Sequence, residues 1–254
     1  MATLKAKKSL GQNFLVDDNM AAKIIECIDP KAEDVMVEIG PGHGVMTRRL
    51  QPCVRHLFAV EIDRRLYDEL ETTFRGCANF TLIKQDFLAF DLATLPESGL
   101  RVVGNIPYNI TSPILFRLFE QRNRVRDVTL LMQKEVGLRA AAAPNSKEYG
   151  ILAVLSQALA EVKVLIKVPP TVFQPRPKVD SVLVRWTFTD RSQQIRDDAF
   201  CRALVRQAFG QRRKMLRNSL KEFVEITSFD FARRPEQLSV DEWIKLANEL
   251  SGRR

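Results

Sequence analysis

The stretch Leu100-Arg101-Val102-Val103-Gly104-Asn105-Ile106-Pro107-Tyr108 reads as a short apolar strand that ends in an amide, a proline and an aromatic ring. Proline lacks an N–H and pushes the residue before it into an extended conformation, so ladder pairing must stop at Ile106-Pro107. The carbonyls ahead of the ring are then free to accept. The next residues include Ser112, placed to cap a helix, and Pro113, suited to its first position. Asn105 to Tyr108 thus sit at a strand's carboxyl end, where open α/β sheets bind ligands. The chemistry such a cluster suits is attack by a planar exocyclic amine. An adenine N6 is a poor nucleophile because its lone pair is delocalised into the ring. Two acceptors, the Asn105 side-chain oxygen and the Ile106 carbonyl, would hold its two hydrogens and turn the lone pair toward an electrophile. Tyr108 would stack on the base, a contact worth roughly 1–3 kcal/mol and indifferent to sequence. No general base is needed before attack, since the amine becomes acidic only once alkylated. The plain alternative is a strand-end turn closed by Pro-Tyr.

The elements that must position this corner follow from periodicity. Apolar runs at 35–39, 57–62, 80–84 and 128–132 read as further strands, with helical patterns between them. Such an alternation gives a parallel sheet covered by helices on both faces. The first strand enters Gly40-Pro41-Gly42-His43-Gly44, a turn whose glycines permit close backbone approach to a ligand. The nicotinamide fingerprint wants its third glycine one place later than Gly44, which argues against a dehydrogenase. Glu61 closes the second strand about twenty residues on, where an acidic side chain takes ribose hydroxyls. Asp86, beside Phe87 at the end of the third strand, can accept from a cofactor amine or merely cap the next turn.

Ahead of the sheet, residues 5–15 carry Lys5, Lys7 and Lys8 and then Ser9-Leu10-Gly11-Gln12-Asn13-Phe14-Leu15. This tail either folds over a bound ligand or packs as a plain arm. Asp17 or Asp18 caps a helix running to about Cys27. Beyond the fifth strand, a helix from about 149 to 159 and strands at 162–168 and 181–188 complete the larger domain. The proline-stiffened connector Pro169 to Pro177 holds Phe173 at a fixed place, either as a second wall opposite Tyr108 or as a core plug. From Asp197 the composition turns helical. Four cations within six residues, Arg212, Arg213, Lys214 and Arg217, then make phosphate contact a better reading than a solvated face. Ser239 and Glu242 form a capping box for the last helix.

At 254 residues, 45 % hydrophobic, the chain can bury a core of domain size, and a net charge of +8 favours a polyanionic partner such as nucleic acid. The four cysteines, Cys27, Cys53, Cys77 and Cys201, lack metal-site spacing and read as reduced core thiols. His43 and His56 read as structural or solvated. No metal is expected. The N-terminus lacks an apolar signal core, so a cytoplasmic address without membrane contact is expected.

Together, Gln12-Asn13-Phe14-Leu15, Glu38-Ile39-Gly40-Pro41-Gly42, Glu61-Ile62-Asp63, Asn105-Ile106-Pro107-Tyr108, the run from Val172 to Ser181 and the run from Arg212 to Asn218 resemble the KsgA family. That family dimethylates the N6 of adenines in small-subunit ribosomal RNA with S-adenosyl-L-methionine. The resemblance implies a Rossmann-like class I methyltransferase, with a seven-stranded, mostly parallel sheet over residues 1–189 and a small all-α RNA-binding domain over 190–254. It implies cofactor contacts from Gln12, Asn13, Leu15, Gly40, Gly42, Glu61, Ile62, Asp86, Phe87 and Asn105. Asn105 would also grip the target amine, and Tyr108 and Phe173 would sandwich a flipped adenine. A monomer acting on the pre-30S particle is expected. The alternatives are an Erm-type enzyme methylating a large-subunit adenine, and a non-catalytic assembly or transcription accessory.

Overall fold

The protein is described from a computed structural model, which covers Lys7 and residues 10–252. Lys5, Lys8 and Ser9 of the expected N-terminal arm lie outside the described residues.

Nine strands form: β1 (Phe14–Leu15), β2 (Val35–Ile39), β3 (His56–Glu61), β4 (Phe80–Lys84), β5 (Leu100–Asn105), β6 (Val125–Gln133), β7 (Ala160–Val168), β8 (Phe173–Gln174) and β9 (Ser181–Phe188). Seven make one sheet in the order β4-β3-β2-β5-β6-β9-β7, and β1 pairs with β8 in a separate two-stranded ribbon. The pairs β2–β3, β3–β4, β2–β5 and β5–β6 run parallel. Every residue of β2 is buried, as a parallel strand covered on both faces requires. The expected Rossmann-like order is present, and β6 is longer at both ends than the run 128–132. The order reverses at β2, which has β3 on one side and β5 on the other. There, a Cβ on Gly104 would stand 2.7 Å from the Ile39 carbonyl oxygen, so only glycine lets these two strands close.

The helices are α1 (Asp18–Ile28), α2 (Thr47–Leu50), α3 (Tyr67–Thr73), α4 (Thr111–Glu120), α5 (Lys134–Ala140), α6 (Ile151–Leu159), α7 (Asp198–Gly210), α8 (Leu216–Ser219) and α9 (Val240–Ser251). Asp17 caps α1, accepting from the Met20 N–H at 2.7 Å. The α1 face of Ala21, Ile24, Ile25 and Ile28 is buried against Met36, Leu57, Leu183 and their neighbours, each large side chain contributing about 1.5–3 kcal/mol. Ser112 does not cap α4. That helix has Ile110 at its cap position, and the Pro107 carbonyl takes the Ile110 N–H (3.2 Å) and the Thr111 hydroxyl (3.3 Å) instead. The cysteines are free, but only Cys201 is buried; Cys53 is exposed, against the expectation of a core thiol.

The chain divides into two compact units. One holds the chain up to Gly137 with Val164–Trp186, and the other holds Leu138–Lys163 and the chain from Thr187 onward. A boundary at 189–190 therefore leaves 138–163 on the wrong side. The reason is packing within the second unit. Tyr149 donates its hydroxyl to the Leu238 carbonyl at 2.9 Å and meets the Phe209 ring, which meets Trp243; Ala158 of α6 packs on Val240 and Ile244 of α9. The Ser239–Glu242 capping box is present, with Arg233 holding the Glu242 carboxyl down to about 2. Among the described residues no helix is long and apolar enough to cross a membrane.

Candidate active site

In the sheet unit a cavity of about 270 Å³ opens at the carboxyl ends of β2, β3, β4 and β5. Gln12, Asn13, Leu15, Gly40, Gly42, Glu61, Ile62, Asp86, Phe87, Asn105, Ile106, Pro107 and Tyr108 all line it. Sequence reasoning missed Glu38, His43 and Asn109 on the same wall.

The corner after β5 is rigid for reasons already in its sequence. Asn105 pairs with Leu131 of β6, and the ladder runs one residue further than expected, the Ile106 N–H donating to the Leu131 carbonyl at 3.2 Å. Pro107 ends it. The Asn105 amide nitrogen donates to the main-chain carbonyl of Asn13 at 2.9 Å. A carbonyl can only accept, so this bond assigns the amide's orientation and leaves Oδ1 as the acceptor. Tyr108 is half-buried, and its hydroxyl lies 2.6 Å from the Ser181 hydroxyl. Burial pushes the phenol above its ordinary value, with Ser181 working against it.

The N-terminal arm is fastened over this corner. The Gln12 amide nitrogen donates to Asp63 Oδ2 at 3.0 Å, and Gln12 Oε1 accepts from the Lys7 N–H at 2.9 Å. Arg65 donates to the same Asp63 oxygen at 2.5 Å and, as the leading cause, holds the Asp63 carboxyl far below the usual range. Next along, the Phe14 ring meets His43 edge-on at 4.6 Å and lies where a side chain on Gly42 would stand. Gly40 and Gly42, with φ of 65° and 58°, hold the left-handed backbone this turn needs.

Three carboxylates face the cavity. Glu61 is buried; its Oε2 accepts from the Gly42 N–H (3.1 Å), and its Oε1 from those of Ile62 (3.0 Å) and Asp63 (2.8 Å). Burial still raises its carboxyl above the ordinary value. Asp86 both lines the cavity and caps the next turn, accepting from the Leu88 N–H at 2.9 Å, so its two readings are compatible. Glu38 is 2 % exposed, and its Oε2 has no partner among the described residues. Burial pushes this carboxyl up to about 7, aided by the Glu61 charge and opposed by the Thr47 hydroxyl and Arg48. His43 is held through Nδ1 by Glu69 at 2.9 Å, while its buried Nε2 has no partner among the described residues.

Phe173 does not join this group. It is 4 % exposed and packs in the core with Leu15, Ile24 and Val172, because β8 pairs with β1 and sets Phe173 opposite Leu15. The expectation of a second aromatic wall therefore gives way to the core plug. In the helical unit, Arg213, Lys214 and Arg217 are exposed, whereas Arg212 is half-buried and donates to the Ser146 carbonyl at 3.2 Å.

Residues 3–251 match the sequence model of the ribosomal RNA adenine dimethylase family. A protein of Chlorobium phaeobacteroides named ribosomal RNA small subunit methyltransferase A is 43 % identical over 255 residues, covering 97 % of this chain and 94 % of that one. One of the same name from Francisella tularensis is 39 % identical over 257 residues, covering 97 % and 98 %. Among solved structures, a dimethyladenosine transferase from Plasmodium falciparum superposes with a TM-score of 0.82 at 24 % identity, covering 94 % of this chain and 98 % of that one. The 23S rRNA methyltransferase ErmE does so with 0.68 at 25 %, covering 94 % and 100 %. This chain belongs to the ribosomal RNA adenine dimethylase family.

Proposed function

We propose that this chain transfers methyl groups from S-adenosyl-L-methionine to the N6 of two adjacent adenines in the 3′-terminal hairpin of small-subunit ribosomal RNA, giving N6,N6-dimethyladenosine during ribosome biogenesis. It acts as a cytoplasmic monomer on the pre-30S particle. The observation that carries this reading is the bond from the Asn105 amide nitrogen to the Asn13 carbonyl. With the nitrogen so occupied, Oδ1 is committed to accepting a hydrogen from the target amine. The Ile106 carbonyl takes the other; it belongs to the peptide unit shared with Pro107, which has no N–H and so leaves the strand ladder there. Holding both hydrogens localises the N6 lone pair, and the Tyr108 ring supports the base. Rate enhancement comes from positioning and exclusion of water. For the second transfer the monomethylated amine carries a single hydrogen, which one of the two acceptors holds while the other faces the methyl group already added.

The residues at the cavity suit the cofactor. It supplies an electrophilic methyl group on a cationic sulfur, and it carries an ammonium as well. A buried carboxylate with an unpartnered oxygen, Glu38, is the complement a cation requires. Glu61 and Asp86 offer acceptors for ribose and adenine, and Ile62 is an exposed apolar surface for a ring. The names of the relatives at 39–43 % identity support the small subunit over the large.

Incubation with labelled cofactor and either unmodified small subunits or large-subunit RNA, followed by nucleoside analysis, tests the reading. Dimethyladenosine from the small subunit alone is expected, and label only in large-subunit RNA would sink it. Asn105→Ala should weaken cofactor binding yet lower turnover by roughly 100-fold or more, as when a preorganised polar group is lost. For RNA, Arg213→Ala, Lys214→Ala and Arg217→Ala should each lower the slope of log affinity against log salt by about one for every phosphate that the side chain had neutralised.

A further inference from the structure

The segment Lys178-Val179-Asp180-Ser181 belongs to the resemblance but has no part in the chemistry above. Ser181 is 0 % exposed, opens β9, and its hydroxyl lies 2.6 Å from that of Tyr108. The preceding residue is pinned to the end of β6. The Lys134 N–H donates to the Asp180 carbonyl at 3.0 Å, and the Lys134 ammonium meets the Asp180 carboxylate at 3.5 Å. Val182, next in β9, is fully buried. The Ser181 backbone is thus held by the sheet, and its buried hydroxyl has the Tyr108 hydroxyl within hydrogen-bond distance.

Tyr108, by contrast, follows Pro107 and begins a single 3-10 turn, Tyr108–Ile110. Nothing in that turn fixes the angle of its ring. A ring that must lie parallel to a base needs its free end tethered, and an unpinned phenol would sample tilts that lose stacking. The need is greater here because Phe173 packs in the core and does not line the cavity.

We infer that Ser181 is a positioning residue for methyl transfer, its hydroxyl tethering that of Tyr108 so that the ring is presented edge-fixed to the incoming adenine. The inference rests on the reading of Tyr108 as the base-supporting wall. The bond spans from the corner after β5 across β6 to the start of β9, so the free end of the ring is held by the sheet and not by the turn alone. Ser181 touches neither cofactor nor RNA in this role.

The test is a mutant cycle in the full-length protein with small subunits as substrate, reading kcat, KM for RNA, cofactor Kd and melting temperature. Ser181→Ala and Tyr108→Phe should each lower kcat/KM for RNA about 5- to 10-fold, the loss expected for one neutral hydrogen bond. Cofactor Kd should stay within two-fold in both. Combining them should do no more than the worse single change, and Ser181→Cys, retaining a weak donor, should recover part of the loss. If Ser181→Ala turns over like the unaltered enzyme, the inference is overturned. It is equally overturned if Ser181→Ala costs as much again in the Tyr108→Phe background, since Ser181 then acts on the fold and not through the phenol. Tyr108→Ala separates this failure from that of the underlying reading. Turnover surviving Tyr108→Ala removes the wall itself, whereas its collapse beside an indifferent Ser181→Ala removes only the tether.

Discussion

At the amino end of β2 and β5, Asp34 is 3 % exposed and Arg101 5 %. Both oxygens of Asp34 accept hydrogen bonds, Oδ2 from Arg101 (2.7 Å) and the Lys31 N–H (2.9 Å), and Oδ1 from Arg126 (2.7 Å). Arg101 also donates to Asp127 at 2.9 Å and to the Ile28 and Asp29 carbonyls at 2.7 and 2.9 Å, closing the last turn of α1. At the carboxyl end of the same strands, Glu38 is just as buried, yet one of its oxygens goes unanswered. The titration follows the difference. Burial acts to raise Asp34, but Arg101, the Lys31 N–H and Arg126 outweigh it and hold the carboxyl below its ordinary value. Burial of Glu38 prevails and lifts it to about 7. Equal burial with unequal partners teaches that the folded chain completes its charges at one end of the sheet. At the other it leaves one oxygen of a buried carboxylate without a partner among the described residues.

Arg101→Met should have the largest effect. It keeps most of the side chain's length but takes the buried guanidinium from two carboxylates, leaving them Arg126 and the Lys31 N–H, and strands two helix-end carbonyls, a loss of about 3–5 kcal/mol. Urea unfolding reads it directly. The folded fraction should bind cofactor within two-fold of the unaltered protein, because the lesion lies at the far end of the strands. A loss under about 1 kcal/mol would show that the amino end is not where these charges stabilise the fold.

Glu38→Gln probes the opposite end and reverses the sign. Asp34, with a lowered value, stabilises above the ordinary carboxylate range, and that contribution fades as pH falls through the lowered value. Glu38, raised, stabilises most below its ordinary value of 4.5, and stability is lost as pH rises through about 7. The Glu38 contribution is on the order of 3 kcal/mol across that window. Glu38→Gln should therefore flatten the fall in unfolding free energy between about pH 4.5 and 7, leave a residual slope from Glu61, and exceed the unaltered protein in stability at pH 8. Cofactor affinity should drop at the same time. An unchanged pH slope would mean that Glu38 is not the strained group.

These two ends differ in how far the sequence exposes them. The corner at Asn105, the glycine turn and Glu61 are contiguous motifs at strand ends, so their meeting in one cavity follows from strand alternation alone. Glu38 had a local signal too, a lone acid in an apolar run ahead of the glycine turn. The Arg101 network had only half of one: an arginine inside an apolar strand is visible, but its partners stand 67 and 26 residues away, and no spacing joins them. Phe173, open between two readings, and the helix at 149–159, expected in the larger domain, share one difficulty. A buried apolar residue reads alike whichever surface covers it, and it was the β1–β8 pairing and the packing on α9 that decided. Ser112 had the right chemistry for a cap, yet the carbonyl of Pro107 already supplied the stop.

Gly104→Ala tests what lies between the two ends, with the smallest expected cost. The added methyl would stand 2.7 Å from the Ile39 carbonyl oxygen and 3.1 Å from the Ile39 Cβ, so the backbones of β2 and β5 must part, at about 1–3 kcal/mol. The displacement falls on the residue before Asn105, whose amide must stay within hydrogen-bond reach of the Asn13 carbonyl. Turnover should therefore fall further than the melting temperature suggests, with most of the loss in kcat. Val103→Ala is the control: also fully buried and one residue earlier, it opens space instead of filling it, and should lose comparable stability while keeping near-normal turnover. Equal turnover in the two variants would break the link between strand spacing at β2–β5 and the aim of the Asn105 amide. Loss confined to Gly104→Ala would place the division between the stabilising and the reactive halves of these strands within one residue of Asn105.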